Sequence, residues 1–324
     1  GDLSGSVGLL DQAEILLKEF NNFSALSKFD RERALARLGL QDYQTAGKLA
    51  RNALSIDLRK AGTSRRRPES DWVRLGDINV AQSLLVTAEI ERQSGKLSEA
   101  KETYQTALKL AKKVAAKREI VRAFFGLARI ALDTDDILSA RINLVGAMLL
   151  TQEGQIPDLH IETIALVGET SLREGDPAGA IGPLNLGIDL VEQMRLTATP
   201  EDRQRLLALQ ADHYRWLLEA YLRTDHLWEA LATSEGLKAR TLRDSLNTND
   251  TAETLLHRVN RLREFQRRLP PDLAVVSYAN ADWNRSDPVA FIMTANDLKA
   301  VPLTFDLLPE FLKHLDIPEV LAAQ

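Results

Sequence analysis

The chain has 324 residues, more than one ordinary domain uses and enough for two. Its 44% hydrophobic and 27% charged residues give a globular balance, and 41 basic against 46 acidic side chains leave a net charge of −5, so no global basic field recruits nucleic acid. Cysteine is absent, which excludes disulfides, thiolate metal sites and a cysteine nucleophile within these residues. No stretch approaches the roughly 18 apolar residues of a membrane helix, and the opening residues do not read as a signal peptide. The lack of cysteine fits a reducing compartment, and the expected location is cytoplasmic.

In chain order, one pattern recurs. A small residue falls at Ala13, Ala46, Ala100, Ala140, Ala180 and Ala230, at steps that by subtraction are 33, 54, 40, 40 and 50 residues. Five residues before each stands a turn position: Gly8, Gln41, Gly95, Asp135, Gly175 and Asp225. The clearest block runs from Gln82 to Ala111, where apolar residues recur at three- and four-residue steps on both sides of Gly95. That is the spacing of two amphipathic helices. Gly95 ends the first, and Ser98 is the expected cap of the second. Ala88, Ala100 and Ala107 supply the small side chains that two closely approaching helices need. Ala13 lies so near Gly1 that the first unit is expected to lack its leading helix. The 54-residue step predicts an insertion loop over residues 59–72, with Pro68 preventing a continuous helix. Arg65, Arg66 and Arg67 in it read as an anion-holding patch or as a solvated loop, and the solvated loop is preferred.

These blocks resemble tetratricopeptide (TPR) repeats, stacked helix–turn–helix units of about 34 residues. The matching positions are Ala88, Gly95, Ala100, Tyr104 and Ala107, then Ala128, Asp135, Ala140 and Ala147, then Gly168, Gly175, Ala180 and Gly187, and finally Tyr214, Tyr221, Asp225 and Ala230. A unit of this kind is stable only when stacked on its neighbours.

The helical pattern continues from Trp228 to about Leu269, with Leu255, Val259, Leu262, Phe265 and Leu269 forming one apolar seam. Arg258, Arg261, Arg263, Arg267 and Arg268 read as an anion-binding face or as a solvated helix surface, the latter preferred. At Pro270-Pro271 the texture changes. The runs beginning at Asp272, Asp287 and Leu298 read as three strands, and Asp306–Leu315 returns to helix. This piece is too short to bury a core alone, so it docks on the repeats or belongs to a longer domain.

The segment from Trp228 to Leu246 and the strands after it resemble the junction of TPR–CHAT proteins, in which a caspase-like, separase-related cysteine peptidase follows TPR repeats. Glu229, Ala230, Glu235, Lys238, Ala239, Arg240 and Leu242 carry the likeness on the joining helix, and Leu273, Val275, Tyr278, Phe291, Val301 and Leu303 on the strands. The expected architecture is therefore mainly α. A TPR-like right-handed α-solenoid of about six repeats spans residues 1–269, and a short strand-and-helix segment over 270–324 resembles the incomplete start of a CHAT α/β domain.

The family's catalytic histidine and cysteine map to no position here, so no catalysis is expected from this chain, and the resemblance implies a parent cysteine endopeptidase. His314 reads as a helix-surface residue, and His160, His213, His226 and His257 form no HExxH or His/carboxylate cluster, so neither metal nor cofactor is expected. The run from Gly175 to Gly182 is a repeat turn in phase with its neighbours rather than a phosphate loop.

The resemblance places the first helix of each pair on a concave, partner-binding face. The groove positions would be Gln82, Leu85, Glu89, Arg92, Arg122, Phe125 and Arg129, followed by Glu162, Glu169, Arg173, Arg215, Glu219 and Arg223. Mixed charge around a few apolar sites suits a protein segment or a docked CHAT protease domain better than a nucleic-acid backbone or a membrane. The family's Lys/Asn clamp for a chaperone tail is not evident. Three functions fit: the regulatory region of a CHAT peptidase, which is preferred, a non-catalytic TPR scaffold, or the TPR sensor of a signalling or transcription regulator.

Overall fold

The computed structural model describes residues 8–9, 23–64, 70–154, 156–196, 198–245, 254–279 and 288–303. Among them lie eleven helices and three strands. The helices are α1 (Phe23–Gly39), α2 (Tyr43–Ser64), α3 (Ser70–Gln93), α4 (Leu97–Lys113), α5 (Lys117–Asp133), α6 (Ile137–Gly154), α7 (Pro157–Glu174), α8 (Pro177–Leu196), α9 (Pro200–Arg223), α10 (Leu227–Ser245) and α11 (Leu255–Gln266). The strands are β1 (Ala274–Ala279), β2 (Val289–Thr294) and β3 (Leu298–Pro302). The chain divides into two compact units, residues 1–163 and 164–324, with the division inside α7. The unit around Ala13, the basic run Arg65–Arg67, the helix after β3 and His314 lie outside the described residues.

In the first unit each helix packs on the next, and the leading helices α1, α3 and α5 also touch in succession, so the pairs stack side by side. The second helix of each pair presents one register. The residues at the repeat alanine and four, seven and eleven positions on are all buried: Ala46, Ala50, Ala53 and Asp57 in α2; Ala100, Tyr104, Ala107 and Ala111 in α4; Ala140, Leu144, Ala147 and Thr151 in α6. In the second unit Ala180, Leu184, Gly187 and Val191 of α8 repeat it. Steps of four, three and four keep one stripe of a 3.6-residue helix facing its partner. The alanines at the closest approach have no exposed surface at all.

What sets this register is the turn. Gln41, Gly95, Asp135, Gly175 and Asp225 all have positive φ, between 54° and 86°, as left-handed C′ residues that stop a helix. At Gly95 the N–H donates to the Arg92 carbonyl (3.0 Å), and the N–H of Lys96 reaches back to Glu91 (2.9 Å). The same double closure recurs at Gln41, Asp135, Gly175 and Asp225. It satisfies carbonyls that the helix end leaves open. The next residue then starts the following helix. Asp42, Asp136 and Asp176 each accept the N–H three residues on, from Thr45, Ser139 and Gly179 at 2.8–3.1 Å. Ser98 does not do this for α4, because the helix already begins at Leu97 and Lys96 holds the cap position without a side-chain bond. A sixth left-handed turn, at Ala115 (φ 51°), joins α4 to α5 and carries no turn-forming side chain to announce it.

Two further expectations are corrected. The loop over 59–72 is helical at both ends, because the alanine stripe of α2 extends through Ala61 and α3 begins at Ser70. Phe265 leaves the seam of α11 and is 47% exposed, while Val259 is buried and Leu255, Leu262 and Leu269 pack on the second unit's core.

That core gathers Leu184, Leu217, Tyr214 and Leu231 from the helices with Phe291, Met293 and Leu298 from the strands. The strands form an antiparallel sheet in the order β1-β2-β3, with Ser277 opposite Phe291 and Ile292 opposite Lys299. Gln266 at the end of α11 donates to the carbonyls of Thr294 (2.9 Å) and Asp297 (3.1 Å), fixing the β2–β3 turn against the helix. The sheet therefore shares one core with α8–α11 and needs no core of its own.

The turn geometry makes a paired prediction. An L-residue with a Cβ in the left-handed region costs about 1 kcal/mol, which glycine does not incur. Ala115→Gly is expected to raise stability by up to about 1 kcal/mol and Gly95→Ala to lower it by about the same. Urea midpoints measure both, and a neutral or destabilising Ala115→Gly contradicts the assignment.

Candidate functional site

In the first unit most of the expected groove residues are engaged internally. Leu85 is not on a binding face. At 8% exposure it belongs to the core with Ala88, Ala100, Tyr104 and Leu127, because its position on α3 points toward α4 and α5. Gln82 bridges two helices, donating to Glu119 (2.7 Å) and accepting from Arg31 (3.0 Å). Arg31 also donates to Asp57 (2.8 Å) and Ser83 (3.2 Å), and Ser83 donates to the same Asp57 oxygen (2.7 Å). Arg31, Asp57, Ser83 and Glu119 are all buried. Burial holds the Arg31 guanidinium below its usual range against the charge of Asp57.

Glu89 and Arg92 form a second internal node. Arg92 grips both Glu89 oxygens (2.8 and 3.1 Å) and Asp133 (2.7 Å), while Gln93 and the Tyr104 hydroxyl also donate to Glu89 at 2.6 and 2.7 Å. Burial works against the Glu89 charge, yet these donors, Arg92 foremost, hold its carboxyl below the ordinary range. Burial and then the Glu89 charge push the Tyr104 hydroxyl well above its own. Tyr104 reaches this position because Gly126 lies beneath its ring, where any Cβ would collide.

A different surface remains on α5. Arg122, Phe125 and Arg129 occupy one helix face at steps of three and four. Arg122 is exposed, and the Arg129 guanidinium lies 4.9 Å over the Phe125 ring. Among the described residues neither arginine has a carboxylate within ion-pair distance. Arg118, one turn earlier, is paired with Asp158 of α7. Glu162 faces this group, and burial and then the Asp158 charge raise its carboxyl above the usual range against Arg122, Arg129 and Arg118.

In the second unit the expected residues form local pairs: Glu169 with Arg173 (2.7 Å), and Glu219 with Arg223, which also donates to the Leu172 carbonyl (2.9 Å). Arg215 pairs with Asp212 (3.0 Å) and stacks 4.3 Å over Trp216. It also borders a cavity of about 250 Å³ between α9, α10 and β1, lined by Tyr214, Leu218, Leu237 and Tyr278. That is below the roughly 300 Å³ at which small-molecule pockets begin and suits a single side chain.

Sequence reasoning missed the buried Arg31–Asp57 node. Its signal was there: Asp57 occupies a position of the alanine stripe where an apolar residue belongs. Among the described residues no group of three His, Asp or Glu side chains is placed to hold a metal ion, and no helix is long and apolar enough to cross a membrane.

No protein-family model matches the chain, and no curated protein does. Among solved structures, BtubC (BKLC) from P. vanneervenii is similar with a TM-score of 0.54 at 15% identity, over 78% of this chain and 96% of that one. A putative kinesin light chain from Podosopora anserina, with nearly identical TPR-like repeats, has a TM-score of 0.45 at 14% identity, over 68% and 96% of the two chains. At such identities the likeness is one of fold. The chain has a TPR-like helical-repeat fold followed by a three-stranded antiparallel sheet.

The Glu89 node predicts an acid-sensitive contribution to stability. A carboxylate whose folded pKa is depressed stabilises above its unfolded value, near pH 4.3, and loses that contribution as pH falls through the folded value. Glu89→Gln should therefore flatten the decline of stability below about pH 4.3. Glu89→Leu, which leaves the Tyr104 hydroxyl without its acceptor, should cost about 2 kcal/mol at neutral pH. Thermal unfolding across this pH range measures both, and identical pH profiles for wild type and Glu89→Gln contradict the node.

Proposed function

We propose that the chain is a protein-interaction scaffold, and that it binds an extended polypeptide segment on the α5 face of the first unit. One observation carries this reading. Arg122 and Arg129 flank a half-buried aromatic ring with their charges uncommitted to any carboxylate at ion-pair distance among the described residues. The other arginines proposed for the groove, Arg92, Arg173, Arg215 and Arg223, are each held by a carboxylate of their own helix. A segment with an acidic residue beside a large apolar one complements that face, the carboxylate taking a guanidinium and the apolar side chain covering Phe125. TPR-like folds bind protein partners through such helix faces.

A narrower reading makes the partner a regulator of a CHAT-type cysteine peptidase. It rests on the resemblance of the joining helix and strands. Supporting it, Glu235 and Lys238 of α10, two residues that carry the likeness, both bond the Ser277 hydroxyl on β1 at 2.7 and 2.8 Å. This ties the joining helix to the first strand. It requires a histidine and a cysteine encoded after Gln324, and a reading frame without them removes it.

The binding face is tested by peptide-display selection on the full chain. Recovered segments should carry an acidic residue within a few positions of a large apolar one. Arg122→Gln and Arg129→Gln should each weaken them by about tenfold, about 1.4 kcal/mol, with circular dichroism unchanged. Basic segments, or affinities indifferent to both substitutions, contradict the assignment.

A further inference from the structure

The most unusual surface in the first unit is the outer side of α6. Leu138, Ile142, Val145 and Leu149 are 70%, 63%, 59% and 55% exposed, although the opposite stripe of the same helix (Ala140, Leu144, Ala147, Thr151) is fully packed. Isolated exposed leucines are ordinary, but four in one line are not. The repeat itself shows what this position normally holds. Forty residues earlier, the equivalent positions of α4 are Ser98, Glu102, Gln105 and Lys109, and forty residues later they are Ala178, Gly182, Asn185 and Asp189. The repeat scaffold does not require apolar residues here, so packing within a pair does not explain them.

The spacing narrows the occupant to a helix. Steps of four, three and four are those of a helix seam with a 3.5-residue period, so the stripe fits another helix. They also read the same in both directions. In an antiparallel pair related by a two-fold axis between Asn143 and Leu144, Leu138 faces Leu149 of the second copy and Ile142 faces its Val145, so each large side chain meets another. An isologous interface requires this self-complementarity, and an unrelated partner does not. Charge agrees. The seam carries none, and Arg141, the flanking charge nearest its centre, falls opposite Gly146 of the second copy rather than opposite another arginine.

We propose that this chain self-associates through α6 as an antiparallel two-fold dimer, with Leu138, Ile142, Val145 and Leu149 as the seam. Four side chains per copy form a small interface, below about 1,200 Å², so the dimer is weak and concentration-dependent, with a dissociation constant on the order of 1–100 µM. This surface lies on a different helix from the proposed peptide-binding face, and its failure leaves that reading intact.

Sedimentation velocity of the full chain from about 1 to 300 µM should show a monomer passing to a dimer across that range. The double substitution Ile142→Glu/Val145→Glu should weaken association by on the order of 100-fold with circular dichroism unchanged, since both sites are exposed in the monomer. The cysteine-free sequence allows a second, geometric readout. A disulfide needs Cα atoms within about 7 Å, and in the two-fold pair Leu138 and its own mate lie about 16 Å apart along the helix axis. An equimolar mixture of the Leu138→Cys and Leu149→Cys proteins should therefore oxidise to the mixed dimer, while Leu138→Cys alone should not cross-link. A chain that stays monomeric at about 300 µM overturns the proposal and leaves the stripe to a different protein. So does a dimer indifferent to the glutamates, or self-cross-linking of Leu138→Cys alone.

Discussion

A residue in the left-handed region, closing the preceding helix with two backbone hydrogen bonds, is the constraint on which the rest of this structure depends. Because the closure fixes how many residues separate one helix end from the next start, it also fixes which residue of the second helix first meets its partner. Five residues on, that residue is alanine in every described pair. With the entry point fixed, the 3.6-residue period does the rest, and one stripe at four, seven and eleven residues further turns inward in α2, α4, α6 and α8. The turn residue itself is interchangeable. Glycine enters at no cost, while aspartate and glutamine tolerate positive φ at a modest one, and the geometry at Gln41, Asp135 and Asp225 matches that at Gly95 and Gly175.

Between the stripes, buried charge limits what the surface can offer. Arg31 and Asp57 with Gln82 and Ser83 of α3, and Arg92 with Asp133, join one helix pair to the next through hydrogen bonds, while the second Asp57 oxygen is buried without a partner. Such pairs are costly to break rather than strongly stabilising, and they act to hold one packing arrangement. Their consequence for function is subtraction. Side chains that a helical wheel puts on a binding face are already spent on structure, and what remains on α5 is a short face of two arginines and a phenylalanine.

The helical repeats were legible because the period is carried by residues with strong local physics: small residues where backbones meet, and turn formers where φ is positive. The three strands were legible for a similar reason, their β-branched and aromatic runs following a double proline. The loop predicted at 59–72 was overcalled because glycine and serine near Gly62 and Ser64 tolerate a helix end that Ala61 anchors by packing. The turn at Ala115 was invisible, since alanine has no preference for the left-handed region and occupies it only because both flanking helices are held elsewhere. The groove list was least legible. Leu85 and Gln82 lie a single turn apart on α3, yet one is in the core and the other spans two helices, and only the neighbours decide which. The strands follow from those β-branched and aromatic runs and not from the resemblance to TPR–CHAT junctions, which stays a proposal.

Amide hydrogen exchange at the turns tests the central constraint most directly. If double closure sets the register, the N–H groups of Gly95 and Lys96, of Asp135 and Asp136, and of Ala115 and Ala116 should exchange as slowly as amides in the middle of α4 and α5, opening only with the whole unit. Exchange at the rate of a frayed loop, with the helix interiors still protected, would contradict it.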